Sequence, residues 1–288
     1  MENTMKSVCI TGASSGFGEE SLKAFADKGY KVFGTMRDIS TRNSDKKSSL
    51  ESYSDNISII EMDVTSDDSV TNALDEIGPI DVLINNAGIM YLGITEAFSI
   101  DQAREQMETN YYGAIRTIQA VLPGMRATKS GLIINTSSIV GRVSPPFFGT
   151  YSATKHAIEA YSQALRYEVS PFGVDVALVE PGPFGTGLLG AGKGPLKTDV
   201  VDSYGEIGKM PDGMAAQFTE FLASEDAPNP RLVVDTYLDL AEMPAGQRPT
   251  RTVVGITWGV DEINKIDQPI QDRILSEMQL DGVLSGKS

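Results

Sequence analysis

The sequence is almost empty of the residues that build disulfides and metal centres. Of 288 residues, one is cysteine (Cys9) and one is histidine (His156). A lone cysteine forms no internal disulfide, so a reducing, cytoplasmic setting is the default expectation. One histidine argues against a His-rich metal site, leaving no metal ligand set, and against a Ser-His-Asp hydrolase. Positive charge is scarce as well. Lys and Arg number 24 against 39 Asp and Glu, a net charge of −15. Such a surface disfavours nucleic acid, anionic membranes and acidic carrier proteins. No apolar run is long enough to span a bilayer, and no charged-then-apolar leader opens the chain. No repeat or linker divides it. A hydrophobic content of 41% in 288 residues suits one α/β domain with a sizeable core.

What is present is a regular alternation of apolar runs and helical stretches. Lys6–Thr11 reads as a strand that enters Gly12-Ala-Ser-Ser-Gly16-Phe-Gly18, then a helix closed by Gly29, then a strand at 31–36. This is a βαβ unit with a glycine-rich first turn. Glycines there allow a sharp turn and let a pyrophosphate approach the helix N-terminus, where free N–H groups and the positive dipole end bind anions. An ordinary glycine turn is the bland alternative; the placement after a strand and before a helix favours a dinucleotide. The polar tract 38–56 reads as an exposed connection with a short helix at most. Further strands follow at 57–62, 80–84, 131–136, 174–179 and 251–256. Ser66 is a helix cap. A long helix is expected over about 100–128, interrupted near Pro123-Gly124. Helices are expected at 151–170, 211–224, 230–242 and 267–279. The Gly-rich stretch 187–210 reads as a functional loop or lid. The sum is a Rossmann-type, doubly wound, mostly parallel sheet of about seven strands, one dinucleotide-binding and catalytic domain over 1–288 with a substrate loop near 187–215.

The stretch from Ser138 to Lys155 is the candidate reaction centre. Tyr151 and Lys155 are four apart, so on a helix they share a face one turn apart. An ammonium beside a phenol favours phenolate and lowers its pKa, which allows proton transfer near neutral pH. Ser138 follows the apolar strand Leu132-Ile133-Ile134, at the sheet end where open α/β folds place ligands. Tyr-x-x-x-Lys is common in helices, and the rest of the chain supplies its context. Asp63 ends the third strand and is either a turn residue or an acceptor for an adenine amino group. Asn85-Asn86-Ala87-Gly88 ends the fourth and can bond loops or a ribose. Asn110 lies inside a helix, either as a satisfied core amide or as a placed functional one.

In this order and spacing, TGASSGFG at 11–18, DVT at 63–65, NNAG at 85–88, Asn110, Ser138 with Tyr151-Ser-Ala-Thr-Lys155, and PGPFGT at 181–186 resemble the short-chain dehydrogenase/reductases over nearly the whole chain. The likeness is greatest to the hydroxysteroid-, retinol- and carbonyl-reducing branch. The resemblance implies Tyr151 as proton donor to a ketone oxygen, or acceptor from an alcohol. It implies Lys155 on the nicotinamide ribose, Ser138 on the substrate oxygen and Asn110 anchoring a relay water. Gly12, Gly16 and Gly18 would pass under the pyrophosphate. Asp63 would meet adenine, Asn86 the adenosine ribose region and Thr186 the carboxamide. Ser14, Ser15, Phe17, Val64, Ala87, Gly88, Pro181 and Gly182 complete the implied cofactor contacts.

Cofactor choice turns on the end of the second strand. Arg37 is placed to pair a 2′-phosphate, while Asp38, rotated inward, would take a ribose hydroxyl instead; the expectation is NADP(H) over NAD(H). Met90, Phe148 and Phe184 are candidates for an apolar substrate pocket, with Phe147 and Tyr91 nearby. His156 is read as structural, turned about 100° from Lys155 on the helix. Many members of the resembled family pair through helices near 101–127 and 153–168, so a homodimer or homotetramer is expected. The expected activity is interconversion of a small-molecule ketone or aldehyde with its alcohol. The alternatives are a non-catalytic NADP(H)-binding regulator on the same fold and a 3-ketoacyl-thioester reductase.

Overall fold

A computed structural model describes residues 5–189 and 192–280. Seven strands form one sheet: β1 (Ser7–Thr11), β2 (Lys31–Met36), β3 (Ile57–Glu61), β4 (Val82–Asn85), β5 (Gly131–Thr136), β6 (Val174–Pro181) and β7 (Arg251–Val254). Their order is β3-β2-β1-β4-β5-β6-β7, and every pairing is parallel. The chain winds outward one way from β1 and the other way from β4. At that reversal, a crevice opens at the carboxyl ends of the strands.

Ten helices pack on the sheet or over its end among the described residues: α1 (Gly16–Asp27), α2 (Ser44–Glu51), α3 (Asp67–Ile77), α4 (Ile100–Met107), α5 (Gly113–Thr128), α6 (Gly149–Val169), α7 (Thr198–Ser203), α8 (Glu206–Leu222), α9 (Arg231–Glu242) and α10 (Val260–Glu277). Strand side chains alternate between two cores. Val8 and Ile10 of β1 join Leu22 and Phe25 of α1 and Tyr237 of α9 on one face. Cys9, between them, joins Leu74 of α3, Ile118 of α5 and Leu165 of α6 on the other. Both faces are covered, which is why the central strands read as unbroken apolar runs. Each such Leu, Ile or Phe contributes roughly 1.5–3 kcal/mol by leaving water.

Local signals set the element ends. Gly29, with φ of 79°, follows α1 in the left-handed conformation that stops a helix. The Ser66 hydroxyl accepts from the Ser69 N–H at 3.2 Å and caps α3. Three expectations need correction. The helix over 100–128 is not broken at Pro123, which sits inside α5. The interruption lies earlier, at a π-helical turn over Glu108–Tyr112 that contains Asn110. The stretch 187–210 is not all loop, since α7 occupies Thr198–Ser203 and α8 starts at Glu206 and runs through Pro211. The helix expected over 211–224 starts earlier, just beyond Gly205, at φ of 56°. Likewise α10 begins at Val260 and continues through Pro269. Positions 190 and 191 of the expected substrate loop lie outside the described residues.

Candidate active site

The glycine turn between β1 and α1 forms the floor of the crevice. Gly12 has φ of 67°, and a Cβ there would meet the Ala87 Cα at 2.7 Å. The turn therefore lies flush against the end of β4, and only glycine permits it. Ser15 is the N-cap of α1, yet its hydroxyl makes no capping bond. Ser15 thus leaves the first turn of α1 uncapped, and Gly16 and Phe17 of that turn line the crevice, where an anion site would lie. Gly18 departs from expectation: it does not line the crevice but is buried where α1 presses on the Gly12 carbonyl and the Asn86 amide. Asn86 is also committed locally. Its Nδ2 donates to the Thr11 carbonyl at 2.9 Å and the Gly12 carbonyl at 3.2 Å, and its N–H to Thr11 Oγ1 at 3.0 Å. It holds the turn in shape.

The crevice encloses about 410 Å³. Besides Gly12, its floor and near wall include Ser14, Ser15, Gly16 and Phe17, with Ala87 and Gly88 at the end of β4. Pro181, Gly182 and Thr186 form the far wall after β6. Asp63 and Val64 line the end beyond β3, beside Arg37. One Asp63 oxygen accepts from the N–H and hydroxyl of Thr65 at 2.9 and 2.8 Å, and the other lies 3.9 Å from Arg37. Asp38 is not rotated inward. Its φ is 56°, its N–H donates to Glu61 at 2.7 Å, and its carboxylate pairs with Arg42 at 2.8 Å. Arg42 and Asn43 line the same end of the crevice. The sequence reading missed both inside the polar tract; the one available signal was the i, i+4 spacing of Asp38 and Arg42.

At the other end, Ser138, Tyr151 and Lys155 converge. Ser138 follows β5 and its hydroxyl donates to the Pro181 carbonyl at 3.3 Å. The first turns of α6 carry Tyr151 and Lys155, both buried at 6% exposure. Lys155 Nζ donates to the Thr136 carbonyl at 2.8 Å and lies 5.7 Å from the Tyr151 ring centre. Burial pushes the Tyr151 phenol well above its usual range, partly offset by the Ser138 hydroxyl. The expected lowering by Lys155 is not seen: desolvation of the phenolate dominates, and the opposing influence is Ser138. Burial pulls the Lys155 ammonium down to about 8, and Glu159, one helical turn on, opposes that. His156 sits on the outer face of α6, its Nδ1 2.9 Å from the Ser152 carbonyl.

Asn110 stands behind this group, outside the crevice lining. Its Oδ1 accepts from the Ile89 N–H at 2.8 Å, and its Nδ2 donates to the Ile89 carbonyl at 2.8 Å and to Thr154 Oγ1 at 3.0 Å. The side chain is fully engaged, tying the loop after β4 to α6. Met90, Phe148 and Phe184 line the crevice. Phe148 is packed beside Tyr151 in a small apolar cluster with Ile139, Val140 and Val260. Phe184 meets Phe17 edge-on at 5.5 Å between ring centres. Tyr91 is core, stacked on Phe98, and does not line the crevice. Leu188, Leu189, Phe218, Leu222 and Trp258 line it too, from loops and helices whose placement the sequence does not specify.

Beneath Lys155 lies a buried charge cluster that sequence reading also missed. Arg251 Nε is 2.8 Å from Glu159 and 3.7 Å from Glu180, and Arg142 is 2.9 Å from Asp267. Asn264 donates to Glu180 at 2.5 Å. Burial and the nearby Glu159 raise the Glu180 carboxyl to about 8, against the opposing effects of Asn264, Arg251 and Arg142.

Residues 6–193 match the family model for short chain dehydrogenases. The chain is similar to a 3-ketodihydrosphingosine reductase of Bacteroides thetaiotaomicron, 42% identical over 188 residues that make up 63% of this chain and 65% of that protein. The match thus spans less than two thirds of that relative's length. Its fold is similar to a short-chain dehydrogenase from Streptomyces avermitilis, with a TM-score of 0.78 and 28% identity over 97% of this chain and 98% of the other. It is also similar to the closed form of a serine dehydrogenase complexed with NADP+, with a TM-score of 0.73 and 27% identity over 87% and 95%.

Proposed function

The chain belongs to the short-chain dehydrogenase family, and on that premise we propose that it is an NADP(H)-dependent oxidoreductase interconverting a ketone or aldehyde with its alcohol. One observation carries the reading: Ser138, Tyr151 and Lys155 converge at one end of a crevice whose floor is a glycine turn and a free helix N-terminus. The residues fit a dinucleotide. The cradle at Gly12 would be filled by any Cβ, and the uncapped first turn of α1 would hold a pyrophosphate. The nicotinamide cofactor, when bound, supplies the hydride.

The chain's own groups do the rest. Tyr151, held neutral by burial, donates its proton to the carbonyl oxygen in reduction. Ser138 hydrogen-bonds that oxygen and offsets its developing charge. Lys155 supplies positive charge beside the tyrosine and binds ribose hydroxyls. Asn110 fixes Ile89 and α6 relative to each other and so positions these groups. A preference for NADP(H) is supported by Arg37 and Arg42 at the far end of the crevice, with the Asp38 carboxylate occupied by Arg42 at 2.8 Å. The NADP+ complex of the structurally similar serine dehydrogenase supports it too. A carbonyl substrate of apolar character is supported by Met90, Phe148 and Phe184 around the reacting end, and by the keto compound named for the Bacteroides relative. A cytoplasmic setting is part of the same proposal, in keeping with the single, fully buried Cys9.

The test is cofactor oxidation by the purified protein across ketones and aldehydes, with NADPH and NADH in parallel. Turnover with NADPH on apolar carbonyls is expected. Tight NADPH binding with no turnover on any carbonyl contradicts the reading.

A further inference from the structure

A second space of about 400 Å³, an open groove, adjoins the crevice. Met214, Gln217, Phe218 and Phe221 of α8 line it, with Trp258 opposite. The four α8 positions are spaced i, i+3, i+4 and i+7, one face of the helix, and none is charged. The groove is continuous with the reacting end in two ways. Phe218 and Trp258 line both spaces. Met214 and Phe218 also pack against the apolar cluster that contains Tyr151 and Phe148. An unbroken apolar path therefore leads from the catalytic phenol, past Phe218, to Phe221 and Trp258.

Trp258 is unusual in its own right. Its φ is 48°, in the left-handed region that bulky residues avoid, between Gly255 and Gly259 at φ of 80° each. The strain is not repaid by burial, since 47% of the residue is exposed. Its ring meets Phe218 at 6.4 Å between centres, and the rest of the indole faces the groove as a wall. Such an arrangement suits an apolar ligand that covers the ring.

We propose that this groove is a subsite for an unbranched hydrocarbon tail on the substrate, whose carbonyl is held at Ser138 and Tyr151. The proposal rests on the oxidoreductase reading and adds the substrate's shape to it. A linear chain is favoured over a fused ring because the slot lies between one row of helix side chains and one indole. From Met214 to Phe221 the helix rises about 10 Å, room for roughly eight extended carbons. Among the described residues, no charged side chain lines the slot to meet a polar or ionic tail.

The sole tryptophan of the chain is Trp258, so its emission reports directly on the groove. Two measurements are made: NADPH-dependent turnover of a series of straight-chain methyl ketones, and titration of the Tyr151→Phe protein with the same ketones while Trp258 emission is followed. The expected result is kcat/KM rising about fourfold per added methylene until the slot is filled, then levelling. Long ketones shift Trp258 emission to the blue and the four-carbon ketone does not. Phe221→Glu, which puts a charge in the slot, lowers the long-to-short selectivity ratio at least tenfold. Turnover independent of chain length, or Trp258 emission unmoved at saturating long ketone, overturns the subsite while leaving the reductase reading intact. A blue shift with long ketones and no turnover of any carbonyl keeps the hydrocarbon subsite and overturns the reductase reading instead.

Discussion

Lys155 carries its charge where the protein opposes it. It is buried, has one hydrogen bond, to the Thr136 carbonyl at 2.8 Å, and titrates near 8. The ammonium is therefore lost within an accessible pH range. For carbonyl reduction, kcat/KM is expected to stay level below about pH 8 and to fall above it as Lys155 deprotonates. Lys155→Met is expected to remove that inflection and cost about a hundredfold in rate, and a wild-type profile flat to pH 10 contradicts the role. Glu180 behaves in the opposite sense. Its carboxyl is held near 8 in the fold against an ordinary 4.5, so the folded chain binds the extra proton between those values. Its contribution to stability is intact below about 4.5 and is lost as pH rises through about 8. Glu180→Gln keeps a neutral acceptor for Asn264. It is expected to raise the melting temperature by several degrees at about pH 8.5 and to leave it unchanged near pH 4.5. A uniform shift at both values contradicts the assignment. Tyr151, Lys155 and Ser138 were legible once the other motifs of the chain stood around them. The balance of their pKa values was not, because burial is a property of the packed chain.

Among the elements, the π-helical turn at Glu108–Tyr112 has the most to do with the site. It widens the helix where Asn110 turns its amide to the Ile89 backbone. Such turns recur at functional sites because they re-aim one residue within an otherwise regular helix. Asn110→Ala leaves the Ile89 N–H and carbonyl without partners, at a cost of about 2–3 kcal/mol. For a chain of this size, the melting temperature is expected to fall by roughly 3–5 °C, with kcat falling as Ile89 and α6 lose their link. Thermal unfolding with no change on substitution contradicts the tie. The sequence marked Asn110 as anomalous inside a helix but located the break at Pro123, since proline is the visible breaker and a π turn has no composition of its own. The same limit applies to α8. It was expected from 211, while the helix begins at Glu206 and places Phe218 on the crevice and Phe221 on the adjoining groove. The strands were the most legible part, because burial on both faces writes continuous apolar runs into β1, β4, β5 and β6.

On the scale of the whole molecule, a net charge of −15 surrounds a crevice proposed to hold an anionic dinucleotide. The basic pair Arg37 and Arg42 at one end resolves that conflict locally. Arg37→Ala is expected to weaken NADPH binding about 10–100-fold and NADH binding little, the loss of a charge-assisted bond to phosphate. Equal losses for both cofactors contradict the assignment. Only Arg37 of this pair was legible in sequence. Arg42 comes to the crevice through the turn that Asp38 makes at φ of 56° with its N–H on Glu61, a contact between chain segments that no local pattern announces.

In the proposed reaction Tyr151 moves a proton and does not merely shape the crevice. NADPH binding and NADPH-dependent turnover of one apolar ketone, measured on wild type and Tyr151→Phe, test it most directly. Binding within about twofold of wild type, with turnover reduced between about a hundredfold and ten-thousandfold, is the predicted result. Turnover within a few-fold of wild type in the mutant would contradict it.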